Sequence, residues 1–136
     1  MVQSPELLLV DDDTAYCLVL SRYLEEQGFN VTIERGGDSK MLATMTGRYD
    51  LIILNERLPE WSGIEALRDI RRENDLPVVM LGASNDFLDV VVALELGADD
   101  FLCRSCNMRE LVARLRTILR RTRKSERHRL HSLCLD

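Results

Sequence analysis

The chain has 136 residues, 46% of them hydrophobic and 30% charged, with a formal net charge of −5. This is the make-up of one ordinary globular domain plus a short tail; with no apolar run of membrane-spanning length and no basic-then-apolar leader, a cytoplasmic protein without a membrane partner is expected. The charge is uneven, −9 over residues 1–119 and +4 over residues 120–136, and an acidic body argues against this domain gripping nucleic acid by itself.

In chain order, residues 7–10 form a short, fully apolar run, as expected of a strand buried on both faces. A helix is predicted over 14–27, with Leu18, Leu20 and Leu24 turned inward and Gly28 as its stop. Residues 31–33 read as a second strand, after which Asp38 caps a helix reaching Thr46, with Met41, Leu42 and Met45 as its apolar stripe. A third strand is predicted over 51–54, followed by a loop containing Pro59 and Gly63. Ile64, Leu67 and Ile70 then give helical spacing up to about Asn74. Pro77 introduces a fourth strand over 78–81, a helix from Asn85 to Leu96 stops at Gly97, and Phe101 and Leu102 mark a fifth strand. Asn107 caps a last helix from Met108 to about Arg123. Five strand–helix pairs with apolar strands imply an α/β fold, a doubly wound parallel sheet with helices on both faces.

In such sheets the site lies at the carboxyl ends of the strands, where the strand order reverses. Asp11, Asp12, Asn55, Gly82 and Arg104 therefore gather at one crevice. Any one of them alone reads as a turn residue; the set is harder to dismiss. Two acidic strand ends side by side would make a divalent-metal pocket with a carboxylate nucleophile. Position 55 instead holds a carboxamide, a poor nucleophile and a weaker Mg²⁺ ligand. The crevice reads as a phosphoryl-transfer site that has been disarmed. With no nucleophile–base pair visible, an enzyme is not expected.

The remaining candidates are weaker. Cys17, Cys103, Cys106 and Cys134 do not make a disulfide framework in a cytosolic chain of this size. Cys103-Arg-Ser-Cys106 has redox-motif spacing, with Cys106 just before a helix N-terminus where a thiolate is favoured; filling of a loop by small residues is the alternative. His128, His131 and Cys134 have metal-ligand spacing, but the segment reads as a linker. The basic run 120–129 reads as a solvated helix end leading into that linker, with DNA contact as the alternative.

The segments Leu-Leu-Leu-Val-Asp-Asp-Asp (7–13), Asp-Leu-Ile-Ile-Leu-Asn (50–55), Leu58-Pro59, Gly63, Pro-Val-Val-Met-Leu (77–81), Leu-Glu-Leu-Gly-Ala-Asp-Asp-Phe-Leu (94–102) and Arg-Glu-Leu-Val-Ala-Arg (109–114) fall in one register. In that register the chain resembles the receiver domain of bacterial two-component response regulators, and its C-terminal third most resembles the OmpR/PhoB type. The resemblance implies a flavodoxin-like, CheY-like sheet of order 2-1-3-4-5 with five helices. It implies a receiver over residues 1–121 and a basic linker over 122–136 leading to a winged-helix DNA-binding domain. Residue by residue, Asp11 and Asp12 match the pair that holds Mg²⁺, with the Arg57 carbonyl as third protein ligand. Asn55 matches the phosphoacceptor aspartate, Gly82 a hydroxyl residue that grips phosphoryl oxygen, and Phe101 the aromatic switch. Arg104 replaces a lysine, and Ser105 a following proline.

Four departures at one site imply a degenerate receiver, in which Mg²⁺ is held weakly or not at all and phosphotransfer from a histidine kinase is lost. The long, permanently charged Arg104 is expected to reach Asp11 or Asp12 and neutralise the pocket. Output in the resembled subfamily runs through a two-fold homodimer on the face made by the fourth helix, fifth strand and fifth helix. Leu94 and Ala113 match its apolar centre, Asp100 and Arg114 one of its ion pairs, and Val90 stands where a basic residue is common. Three rivals remain: a working receiver phosphorylated elsewhere, a redox or metal sensor using Cys103 and Cys106, and a crevice that binds a small molecule.

Overall fold

The computed structural model describes residues 3–36, 42, 44, 46–58, 62–83 and 87–134. Five strands, β1 (Glu6–Val10), β2 (Asn30–Glu34), β3 (Leu51–Asn55), β4 (Val78–Gly82) and β5 (Asp100–Cys103), form one parallel sheet in the order β2-β1-β3-β4-β5. Four helices are bounded among the described residues: α1 (Thr14–Glu26), α2 (Gly63–Glu73), α3 (Phe87–Glu95) and α4 (Met108–Cys134). The predicted cap Asp38, the stripe residues Met41 and Met45, Pro59 and the predicted helix start Asn85 lie outside the described residues. Leu42, from the same stripe, is helical and buried.

The two-residue strand period divides the core. Leu7, Leu9, Leu51, Ile53, Val79 and Leu81 face α1 and α4, where Leu20, Leu24, Leu111 and Leu115 meet them. Leu8, Val10, Ile52, Leu54, Val78 and Met80 face the other way, onto Ala66, Leu67 and Ile70 of α2 and Ala93 of α3. Helices on both faces explain why the inner strands read as unbroken apolar runs.

Helix α1 differs from the sequence expectation. It buries Cys17, Leu20, Ser21 and Leu24, whereas Leu18 points outward and is 56% exposed. Three consecutive apolar residues, Leu18-Val19-Leu20, cannot share one helix face, and the spacing of Cys17, Leu20 and Leu24 wins. The last helix also departs from expectation, continuing past Arg123 to Cys134 instead of giving way to a linker. No glycine or proline follows Met108, so nothing in the sequence stops it, and charged straight-chain residues extend it.

Arg71 of α2 fixes the turn that carries α3 back to the sheet. Its guanidinium donates to the Gly97 carbonyl from Nε (2.9 Å) and Nη2 (2.7 Å), and to the Leu76 carbonyl from Nη1 (2.6 Å). Nη2 also meets Asp99 at 3.1 Å, and the same carboxylate oxygen accepts the Val78 amide at 2.8 Å. Gly97 has φ +110, and a Cβ there would strike the Arg71 side chain. Among the described residues no helix is long and apolar enough to cross a membrane.

Candidate functional site: the acidic crevice

The connection from β1 leaves the sheet on one side toward β2, and β3 pairs on the other side, so the strand order reverses at the carboxyl end of β1. Val10 is in register with Leu54, which sets Asp11 across from Asn55. Asp11 is buried, its side chain only 1% exposed, and both of its oxygens are engaged. Oδ1 accepts the Asp13 amide at 3.0 Å, and Oδ2 accepts Nη1 of Arg104 at 2.6 Å. That second contact is a short, charge-assisted bond spanning 93 residues of sequence.

Arg104 is placed by backbone and ring together. Its amide donates to the Gly82 carbonyl at 2.8 Å, and its guanidinium lies 4.2 Å from the Tyr16 ring centroid. The Tyr16 hydroxyl donates back to the Arg104 carbonyl at 3.3 Å. Burial pushes the Tyr16 phenol up to about 12, with the arginine charge pulling the other way. Nη2 of Arg104 also meets Asp13 at 3.5 Å, while the other Asp13 oxygen accepts the Tyr16 amide and caps α1. The guanidinium thus turns to Asp11 and Asp13; Asp12 is exposed. Asp13 was missed as a charge partner, although a helix-capping aspartate beside Asp11 was a signal that could have found it.

Asn55 is buried, and its Oδ1 accepts the Arg57 amide at 3.2 Å. Arg57 bridges back to Ser62, whose hydroxyl caps α2 by accepting the Glu65 amide at 3.2 Å. Gly63 is required where α2 begins, since a Cβ there would collide with the Asn55 carbonyl oxygen. Glu56, which sequence reasoning passed over, is half-buried with its carboxylate in front of Gly82. Phe101 is buried beneath the same glycine, 7% exposed.

Of the oxygens expected to hold a hard divalent cation, the inner two are engaged by other groups. The inner carboxylate is bound to a guanidinium, and the amide oxygen at 55 is taken by a backbone N–H. Among the described residues no group of three or more His, Cys, Asp and Glu side chains is arranged to hold a metal.

Cys103 and Cys106 flank the Arg104 turn, and their chemistry runs opposite to the sequence expectation. The Ser105 hydroxyl, 3.1 Å from Cys103 Sγ, draws the Cys103 thiol down, whereas burial pushes Cys106 up. Cys17, beneath the crevice, is pushed up to about 11 by burial and by Asp11.

On the face made by α3, β5 and the first half of α4, Leu94 is 44% exposed and Ala113 is exposed. Val90 is half-buried against the core. Asp100 and Arg114 meet within the chain at 3.5 Å, and Arg114 also reaches Glu110 at 3.6 Å.

Residues 7–116 match the response regulator receiver domain family. Among curated proteins, the transcriptional regulatory protein CpxR of Klebsiella pneumoniae is 44% identical over 121 residues, covering 89% of this chain and 52% of its own length. The transcriptional regulatory protein AfsQ1 of Streptomyces coelicolor is 43% identical over 117 residues, covering 86% of this chain and 52% of its own length. The chain thus spans about half the length of the curated relatives it matches. Among solved structures, the BeF3-activated N-terminal receiver domain of Klebsiella pneumoniae RstA superposes with a TM-score of 0.78 at 29% identity, covering 85% of this chain and 98% of that one. With the matching segment, the reversing sheet and the crevice at its carboxyl edge, this chain belongs to the response regulator receiver domain family.

Proposed function

We propose that this chain is the receiver part of an OmpR/PhoB-type response regulator that controls transcription, and that its crevice works without aspartyl phosphorylation. The observation that carries this reading is the 2.6 Å bond between Arg104 and buried Asp11. The pocket's inner negative charge is already neutralised by a fixed cation, and position 55 offers an amide instead of a nucleophilic carboxylate. Mg²⁺ is weakly held or excluded, and a histidine kinase has no acceptor at Asn55.

In this reading, output passes through the face carrying Val90, Leu94, Asp100, Ala113 and Arg114, which associates with a second copy without a phosphate signal. The exposed Leu94 and Val92 support an apolar contact there. The curated relatives named above are transcriptional regulators; DNA binding in the whole protein would fall to a winged-helix domain reached through residues 122–136.

Intact mass after incubation with acetyl phosphate and Mg²⁺ tests the first part, and an unchanged mass is expected. A stoichiometric gain of one phosphoryl group would overturn it. Light scattering across a concentration series, with no phosphodonor, tests the second part. A dimer is expected, disrupted by L94D; a monomer at every concentration would refute constitutive association.

A further inference from the structure

A side chain at Gly82, at the end of β4, would have to displace the ends of two others. A Cβ built on it would lie 2.5 Å from Phe101 Cζ and 2.6 Å from Glu56 Oε2. Both separations fall well inside the ~3.5–4.0 Å at which non-bonded carbon atoms rest. The Glu56 backbone is held, its amide donating to the Leu81 carbonyl at 2.8 Å and its carbonyl accepting from Gly63 at 2.7 Å, but its carboxylate is the end of a flexible side chain and can swing aside. Gly63 is itself pinned against Asn55 and Met80. The phenyl ring is the committed neighbour, packed in the core cluster that includes Met80, Ala93 and Ala98. Ala93 belongs to α3, so the ring joins the crevice to the face on which association is proposed.

We propose that Gly82 is the residue that seats Phe101 inward permanently. The ring and the Glu56 carboxylate share the space that any side chain at position 82 would need, so the carboxylate supplies a resident anion at the glycine and no transferred group is required. An aromatic edge carries partial positive charge, so a carboxylate beside it suits the inward ring. This deepens the phosphorylation-independent reading and rests on it for its functional meaning. The geometric claim can fail by itself.

The test is ¹⁹F NMR of the full chain labelled with fluorophenylalanine, the Phe101 resonance being assigned through F101L. In the unaltered protein that resonance should show almost no solvent-isotope shift, with or without acetyl phosphate and Mg²⁺. In G82A it should move and gain a solvent-isotope shift as the ring is driven out. In E56A, which leaves the glycine and its space in place, it should stay near its original position and remain protected. An unmoved, protected resonance in G82A would overturn the proposal. If G82A fails to fold, the pair G82A/F101L decides, because the shorter leucine leaves room for the new methyl group. Recovery of a cooperative melt supports the proposal, and a variant still unfolded overturns it. Phosphorylation by acetyl phosphate would sink the functional reading and leave this ring test standing, so the two failures are distinguishable.

Discussion

Arg71 and Arg104 each approach an aspartate near one end of β5, yet they hold different things. Three of the four hydrogen bonds that the Arg71 guanidinium donates go to the carbonyls of Leu76 and Gly97, and its aspartate partner is partly solvated. It is a strap between backbones. Arg104 meets a carboxylate that has almost no access to water, and its bonds go to charge. The first arginine is valued for its planar fork, the second for its cation. A residue at the site's edge thus does electrostatic work that the rest of the fold does not need.

Four substitutions or titrations test the contrast between the two arginines and their surroundings. The largest effect is expected from R104A, which strands a buried carboxylate and should cost about 3–5 kcal/mol in chemical denaturation. D11N/R104A should recover much of this loss, and R104K should lose less than R104A, because a cation is what Asp11 needs. R71A should cost about 1–3 kcal/mol by leaving carbonyls unsatisfied. There the lysine variant should rescue poorly, since an ammonium cannot reproduce the bidentate grip on Gly97. Equal rescue by lysine at both positions would erase the distinction.

The third effect is alkaline. Tyr16 is raised to about 12 and Cys17 to about 11, so the unfolded chain loses these protons first as pH rises. Stability should hold below the ordinary cysteine value and then fall progressively up to about pH 12, as the linkage sign requires. Y16F should flatten the upper half of that fall in denaturant melts recorded across the range. The smallest effect is a matter of rate. In a C134S background, a thiol reagent should modify Cys103 fastest, Cys106 more slowly, and buried Cys17 only on unfolding. Modification of Cys106 ahead of Cys103 would contradict the assigned environments.

The sheet was legible because strands buried on both faces must be apolar throughout, and the runs at 7–10, 51–54 and 78–81 say so without ambiguity. The crevice was legible because Asp11, Asn55, Gly82 and Arg104 each follow such a run. That Arg104 would reach Asp11 followed from its length and charge; that Asp13 and not Asp12 is its second partner shows only in the fold, where the guanidinium also lies over the Tyr16 ring. Glu56 could not be read from the sequence, since its role comes from the emptiness of Gly82, a property of two strands in register. Leu18 misled because consecutive apolar residues leave the helix phase open. The end of the last helix misled because a basic, polar stretch reads equally as linker or solvated helix. The contrast between Cys103 and Cys106 came from one hydroxyl, on Ser105, whose direction no spacing rule encodes.

In the proposed function the Arg104 guanidinium stands in for a metal cation at Asp11. The most direct measurement is the melting temperature of the unaltered protein and of R104A across a Mg²⁺ titration into the millimolar range, since a ligand that binds only the folded state must raise it. No saturable shift is expected for the unaltered protein, and a Mg²⁺-dependent rise is expected once the arginine is removed. A saturable Mg²⁺ stabilisation of the unaltered protein, undiminished by the presence of Arg104, would contradict that role.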